Sequence, residues 1–324
     1  MAQRAVWLYG QVEDDFAEQI LQEIGGVQIS DTSIWRQAQA WGARFQVHAE
    51  GEAKASTGLP QRGEVIRGTV PTTQRMGVAM DGAKIYLRKE GWKELKVGCV
   101  FDVVVREEED PETHERVERA HAVENSYTTH LGGPEEFGRK VWAEAVRREV
   151  PRAPDSIILG DGAPWIWNLV GEHFGTSWQA VDWYHAKAHL YQAAKLAFGE
   201  GRATGKRWAR GMEKSLYQGR AWRVAEAVHR LARVHRRVSK ELRGEAGYFA
   251  GNANRMQYLE LREEGWPIGS GMVESACKQF RARFNGPGMR WSRSGAEHLL
   301  PVRAAILSRR FDALWARLYS SPPA

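Results

Sequence analysis

Cysteine is almost missing from this chain, and its scarcity removes two classes of site. Only Cys99 and Cys277 occur among the 324 residues. Two cysteines make no disulfide framework, and they are too few for a structural zinc site built on several cysteine ligands. A reducing, intracellular setting is expected.

Long apolar runs are also missing. No stretch approaches the roughly 20 apolar residues needed to cross a bilayer, and the opening MAQRAVWLYGQVEDD lacks the basic-then-apolar order of a secretory signal. The composition, 43% hydrophobic and 27% charged, is typical of a globular protein. We expect no membrane partner.

The charge is unevenly distributed along the chain. From Lys187 onwards there are 26 Lys and Arg against 11 Asp and Glu, a net of +15, whereas residues 1–185 hold 20 against 29, a net of −9. A basic half beside an acidic half is typical of a nucleic-acid enzyme with carboxylate-bound metals. Solvated helix faces on an ordinary protein explain the same charge equally well.

Residues 1–50 are predicted to be helical. The spacing of apolar residues predicts a helix over 11–26 and a second one over 27–45, capped at Asp31 or Thr32. The pair fits a helix-turn-helix or two helices that only pack together. Residues 51–76, rich in Gly, Ser and Pro, are predicted to be a linker.

Residues 77–185 change to a strand-rich pattern. Three β-like runs are followed by a helix over 134–149, a short apolar strand at 156–161, a helix over 164–174 and a fifth strand over 178–185. This order is that of an RNase H-like domain, an α/β fold with a mixed five-stranded sheet flanked by helices. Asp110-Pro111 lies in an acidic loop between the second and third strands.

The rest of the chain is predicted to be helical. Residues 186–264 form a basic block without strand signals, which we interpret as an all-α insertion in the core. Residues 265–324 return to the core, with one helix after Ser270 and a terminal helix over 296–318, kinked at Pro301.

Three carboxylates are candidates for chemistry. Asp81, in VAMDGA, and Asp161, in GDGAPW, each follow an apolar strand and precede a glycine. Taken singly, either one is explained as a turn residue that caps the next segment. Glu274, in GSGMVESACK, lies in the first turns of a helix, where it would also favour the helix dipole or pair with Lys278.

Together the three carboxylates have a chemical purpose. Mg²⁺ prefers oxygen ligands, and two such ions can activate an attacking oxygen and stabilise a leaving one at phosphorus. Without cations, clustered carboxylates would raise one another's pKa. The set therefore predicts bound divalent metal.

The segments MDGAKIYLR, ILGDGAPWIW, DWYHAKAHL and PIGSGMVESACK resemble DDE transposases of bacterial insertion sequences, most closely the ISKra-type group related to Mutator-like transposases. The resemblance covers about Gly77 to Trp291. It implies two Mg²⁺ (or Mn²⁺), held by Asp81, Asp161 and Glu274. Members usually carry a cysteine-rich DNA-binding segment ahead of the catalytic domain, so the resemblance does not extend to recognition of the element's ends.

Further roles follow from the same resemblance. Asp182-Trp183-Tyr184-His185 matches a family motif, which gives His185 a supporting role at the scissile phosphate or at a metal-bound water; a histidine bonded to a nearby carbonyl is the alternative. The residues expected to contact DNA are Lys278, Arg281, Arg283, Arg290, Trp291, Arg293, Arg207 and Arg210.

The sequence thus predicts a metal-dependent transposase that cleaves phosphodiesters at transposon ends and transfers the strand. Its expected partners are double-stranded DNA and a second copy of the chain, and its expected location is cytoplasmic and nucleoid-associated. Two alternatives stay open: an RNase H-like nuclease that does not join strands, and a non-catalytic DNA-binding protein derived from a transposase.

Overall fold

The computed structural model describes residues 1–56, 74–109, 114–286 and 288–320. Most of the predicted linker lies outside these ranges, as do Asp110 and Pro111 of the predicted acidic loop. In the described part of the chain, no helix is both long and apolar enough to cross a membrane.

The centre of the molecule is a mixed five-stranded sheet with the strand order β3-β2-β1-β4-β5. Its strands are β1 Met76–Leu87, β2 Gly91–Glu109, β3 Arg116–His130, β4 Ser156–Gly160 and β5 Trp178–Val181. The first three are antiparallel neighbours, whereas β1 with β4 and β4 with β5 are parallel. The predicted five-stranded mixed sheet is confirmed.

Helices cover both faces of the sheet. Successive side chains of β1 point to opposite faces, so each face carries apolar residues that pack against helices. Met76, Val78 and Met80 pack with α4 and α5 on one face. Ala79, Ala83 and other residues of the opposite parity pack on the other face, in the core that includes α11 and α12. Asp81 has this second parity, so it points to the side where α11 lies.

Among the described residues, the helices are α1 Ala2–Gln11, α2 Asp14–Glu23, α3 Asp31–Ala55, α4 Pro134–Arg147, α5 Pro164–His173, α6 Trp183–Phe198, α7 Ala203–Tyr217, α8 Ala221–Val234, α9 Ser239–Gly251, α10 Tyr258–Glu263, α11 Gly271–Phe284, α12 Arg293–Leu307 and α13 Phe311–Ser320. Between Asp182 and Gly265 every element is a helix or a short 3₁₀ turn.

Several element boundaries differ from the sequence prediction. The fifth strand stops at Val181, and Asp182 caps α6 with its side chain instead of continuing the strand. The helical block predicted over 186–264 is interrupted at Arg236 by a 3₁₀ turn. The terminal helix is predicted as one element over 296–318. In the structure α12 continues through Pro301 and ends at Leu307, just before Arg309, whose φ of 55° is not helical.

The N-terminal helices are part of the same packed body as the sheet. At Gly42 on α3, an added Cβ would lie 2.4 Å from the carbonyl oxygen of His298 on α12, so the two backbones are in direct contact. Arg303 of α12 donates a hydrogen bond to the carbonyl oxygen of Gly10 at 3.1 Å. These contacts tie α1 and α3 to the helix layer that supports the site.

Candidate active site

Asp81 lies within β1 rather than at its end. Strand β4 pairs with β1 only as far as Ala79, so Asp81 is just beyond the point where the neighbouring strand stops. One Asp81 carboxylate oxygen accepts a hydrogen bond from the Gly82 amide at 2.6 Å. The side chain is half-buried at an open step in the sheet.

Asp161 is the residue that follows β4, as the sequence predicts. Its carboxylate accepts a hydrogen bond from the Ala163 amide at 2.8 Å, which is the turn-capping contact expected of an Asp in this position. Because β1 and β4 are parallel neighbours, their carboxyl-terminal directions coincide and Asp161 faces the same step as Asp81.

The two aspartates interact electrostatically. Burial raises the pKa of Asp81 above its ordinary value, and the negative charge of Asp161 raises it further. Hydrogen bonds from Gly82 and from the Cys277 thiol, together with a charged His185, lower the same pKa and only partly offset the burial. A bound cation would remove the conflict between the two carboxylates.

Helix α11 brings a third group to Asp81, although it is not the one predicted. The buried thiol of Cys277 lies within hydrogen-bonding reach of the Asp81 carboxylate. Burial, then the negative charges of Asp81 and Glu274, raise the pKa of this thiol, so it stays protonated beside the Asp81 carboxylate. Sequence reasoning missed Cys277, whose only signal was its position three residues after Glu274.

Glu274 is in the first turn of α11, but its carboxylate is engaged elsewhere. Its Oε1 pairs with Lys278 Nζ at 2.9 Å, one turn along the helix. This is the pairing that the sequence offered as an alternative to a metal role. Within the described residues, no three or more His, Cys, Asp or Glu side chains are arranged to hold a metal ion. The structure brings Asp81 and Asp161 close enough for electrostatic contact, whereas the Glu274 carboxylate is paired with Lys278 and does not join them.

His185 is on the first turn of α6 and is half-buried. Its backbone amide donates to Asp182 Oδ1 at 2.8 Å. Its positive charge, when present, lowers the pKa of Asp81. The imidazole is therefore at the edge of the aspartate pair, near enough for electrostatic contact.

Asp182 joins three elements beneath the site. The sequence predicted a role only for His185 of the motif that Asp182 begins. This carboxylate is 2% exposed, and Oδ2 accepts hydrogen bonds from both the backbone amide and the hydroxyl of Ser270, the residue that precedes α11. The Asp182 amide donates to the Gly160 carbonyl at 2.8 Å. A single buried residue thus connects the strand before Asp161, the helix of His185 and the helix of Glu274.

Tyr248, on α9, supports the Asp161 turn from the other side. Its hydroxyl donates to the Asp161 carbonyl at 2.9 Å, and its ring stacks on His189 with centroids 3.7 Å apart. The ring also leaves no room at Gly162, where an added Cβ would lie 2.7 Å from it and φ is +99°. Gly162 is therefore required for this close approach.

The residues predicted to contact DNA divide into two groups. Three are occupied within the protein. Arg283 is 3% exposed and donates to the Tyr9 carbonyl, the Trp291 ring is buried, and Arg293 pairs with Glu90 at 2.6 Å. Arg283 is thus not placed to reach a phosphate. The exposed members are Lys278, Arg281, Arg290, Arg207 and Arg210.

Known proteins provide no further constraint on this site. A scan against models of protein families finds no match, and a search of curated proteins finds no significant relative.

Proposed function

We propose that this protein is a DDE-type DNA transposase, which cleaves phosphodiesters at transposon ends and transfers the strand using bound divalent metal. One observation carries the proposal. Asp81 and Asp161 come from adjacent parallel strands, and the charge of Asp161 helps to raise the pKa of Asp81. Helix α11, which carries Glu274, packs beside Asp81 through Cys277. A half-buried carboxylate beside a second one is costly without a cation, and residues with a shifted pKa are commonly functional.

The fold supports the same proposal. The strand order β3-β2-β1-β4-β5, with three antiparallel strands followed by two parallel ones, is the order of RNase H-like domains. The helical stretch between Asp182 and Gly265 fits an all-α insertion placed between the fifth strand and the glutamate helix.

The donor set fits Mg²⁺ or Mn²⁺, because carboxylate oxygens are the ligands these ions prefer. Asp81 and Asp161 would hold the metal, with Glu274 completing the set. Two bound ions would supply charge stabilisation for the attacking and leaving oxygens of the phosphodiester. His185 would orient the scissile phosphate, and the Cys277 thiol would keep the Asp81 carboxylate turned towards the site.

Glu274 must leave Lys278 to take part, and the cost of that change is small. The pair is surface-exposed, with Lys278 70% and Glu274 44% accessible. Such i,i+4 pairs are typically worth about 0.3–0.5 kcal/mol. A divalent cation beside Asp81 would readily compete for the glutamate.

The expected partners are double-stranded DNA and a second copy of the chain, in the cytoplasm at the nucleoid. The exposed cations Lys278 and Arg281 continue along α11 from Glu274, where phosphates near the site would pass. These partners follow from the proposed reaction.

The test is nicking of supercoiled plasmid in Mn²⁺, followed by a joining assay with a pre-cut end. Asp81→Asn, Asp161→Asn and Glu274→Gln should each reduce nicking by at least 100-fold (about 3 kcal/mol of transition-state stabilisation) while DNA binding is retained. Unchanged nicking in any one variant removes that residue from the site. Nicking without joined product would favour a nuclease.

A second candidate, a non-catalytic DNA-binding protein, is favoured by the Glu274–Lys278 pair. It predicts salt-dependent DNA binding and no cleavage in either Mg²⁺ or Mn²⁺.

A further inference from the structure

The β1–β2 hairpin extends beyond the rest of the sheet as an arm. Strand β4 leaves β1 at Ala79, whereas β1 and β2 stay paired with each other as far as Leu87 and Gly91. One face of this arm, with Ala83 and Ile85, is buried in the core that includes α11. The opposite face is open.

Two large aromatic side chains occupy the open face near the tip. Tyr86 and Trp92 are direct cross-strand partners, with ring centroids 5.7 Å apart and planes at 76°. They are 43% and 62% exposed, respectively. Exposed aromatics paired in this way present ring faces and edges that a flat partner can stack against.

Unpaired cations surround the two rings. Arg88 and Lys89 follow Tyr86 at the turn, and Arg290 lines the same cleft from the loop after α11. No hydrogen bond or ion pair within the described residues engages the side chains of these three cations. We call Tyr86, Trp92, Arg88, Lys89 and Arg290 the hairpin-tip surface.

Two of the acidic neighbours of the hairpin-tip surface are neutralised by ion pairs. Glu90 is bound by Arg293 at 2.6 Å, and Glu94 is bound by Lys96 at 2.6 Å. Two further acidic residues, Glu13 and Asp14, line the adjoining cleft. The net charge of the surface is positive, which suits a polyanion.

The surface is also held in place. Asn285 donates to the Lys84 carbonyl at 2.8 Å, and the Arg88 amide donates to the Trp291 carbonyl at 2.8 Å. These bonds cover the edge of β1 that β4 leaves open, so another strand cannot add there. A partner must contact the side chains instead.

Asp81 and Tyr86 lie on the same strand but on opposite faces of the sheet. Five residues separate Asp81 from Tyr86 along β1, and at about 3.3 Å per residue this is about 17 Å. The hairpin-tip surface is therefore separate from the site of the two aspartates.

We propose that the hairpin-tip surface binds unpaired DNA nucleotides, which stack on Tyr86 and Trp92 while their phosphates contact Arg88, Lys89 and Arg290. This combination of cations and exposed rings is how proteins hold single strands. The inference rests on the proposed function only in taking DNA as the substrate.

The first test measures binding without divalent metal, in EDTA, by fluorescence anisotropy. The probes are a blunt duplex and the same duplex with a five-nucleotide unpaired tail. Tyr86→Leu with Trp92→Leu should weaken binding of the tailed duplex about tenfold and leave the blunt duplex nearly unchanged. Trp7→Leu, which removes an exposed aromatic on α1, is the matched control. Equal binding of both probes by the double variant and the wild type would overturn the proposal.

The second test addresses the cations. Glutamine at Arg88, Lys89 and Arg290 should lower the slope of log affinity against log salt by about 2, since each phosphate contact on a single strand contributes about 0.7. Glutamine at Lys54, Arg106 and Arg139 removes three exposed cations elsewhere on the protein and is the control. An equal slope change in both triple variants would contradict a localised site.

A third measurement avoids folding defects, because it uses the unaltered protein. Photocrosslinking of a tail that carries 5-iodouracil should label the peptide with Tyr86 or Trp92, and labels confined to other peptides would refute the assignment. If binding of the tailed duplex depends on the hairpin-tip surface but the protein does not nick DNA, the transposase proposal is refuted and this one is supported. If the protein nicks DNA normally and the hairpin variants bind the tailed duplex as the wild type does, this proposal is refuted and the transposase proposal is supported.

Discussion

At the scale of single residues, the site is defined by a carboxylate placed where the fold disfavours its charge. Burial raises the pKa of Asp81 from its ordinary 3.8, with Asp161 adding to the effect. The folded state therefore prefers protonated Asp81. The contribution of Asp81 to the free energy of unfolding is full below pH 3.8, and it is lost as the pH rises through the raised pKa.

Asp81→Asn should consequently stabilise the protein at pH 7. We expect the melting temperature to rise by on the order of 2 °C for each kcal/mol of relieved penalty, and the gain to vanish near pH 3. Mn²⁺ should raise the melting temperature of the wild type and not that of the variant. Differential scanning calorimetry at the two pH values, with and without Mn²⁺, checks both effects. A variant less stable than the wild type at pH 7 would show that Asp81 is a structural anion.

Lys278 competes with metal for Glu274. Lys278→Gln should tighten Mn²⁺ binding about twofold, since an exposed ion pair contributes about 0.3–0.5 kcal/mol. Arg281→Gln removes a nearby exposed charge that does not pair with Glu274, and it should change the affinity less. Isothermal titration measures both, and weaker binding by Lys278→Gln would refute the competition.

The sequence singled out the two aspartates because an apolar run followed by Asp-Gly is visible in a local window, although only Asp161 follows the end of its strand. It did not predict Cys277, Tyr248 or the structural role of Asp182, because the partners of these side chains are distant in the chain. Asp182 and Ser270, for example, are 88 positions apart. Only packing brings them together.

At the scale of elements, the starts of α6 and α11 are fixed by one buried carboxylate. Asp182→Ala removes the acceptor of the His185 amide and of both Ser270 donors. We expect a loss of about 2–4 kcal/mol of unfolding free energy and a fall in nicking, because Glu274 shifts with its helix. Ser270→Ala loses only the hydroxyl bond and should cost about 1 kcal/mol. Urea denaturation compares the two, and equal losses would show that the backbone bond contributes little.

Most element types were predictable, whereas several boundaries were not. Alternating and continuous apolar runs located β1 to β4 to within a few residues. The run WQAVDWYH looked like one strand, but the side chain of Asp182 caps a helix and ends β5 after four residues. Short apolar runs are ambiguous between strand and helix, and capping by Asp182 decides this one.

At the scale of the whole molecule, the N-terminal helices and the sheet form one packed body through α12. Gly42→Ala would place a Cβ 2.4 Å from the His298 carbonyl, so we expect a loss of about 1–3 kcal/mol of stability. Gly51→Ala, on the same helix but in open space, should instead stabilise by about 0.5–1 kcal/mol. Thermal melting of both variants tests this, and a neutral Gly42→Ala would show that α3 is loosely attached.

The uneven charge along the sequence also has a structural counterpart at this scale. The basic half supplies α11 and the loop after it, and the acidic half supplies both aspartates. The sequence could not show that Arg283 is buried against Tyr9, 274 positions away, because burial of an arginine depends on which helices meet.

The central claim is that Asp81, Asp161 and Glu274 hold divalent cations together, and anomalous scattering from Mn²⁺-soaked crystals tests it most directly. We predict an anomalous peak between Asp81 and Asp161, with the Glu274 carboxylate turned away from Lys278 and towards the metal. Crystals soaked at saturating Mn²⁺ that show no peak between the aspartates, and Glu274 still paired with Lys278, would contradict the claim.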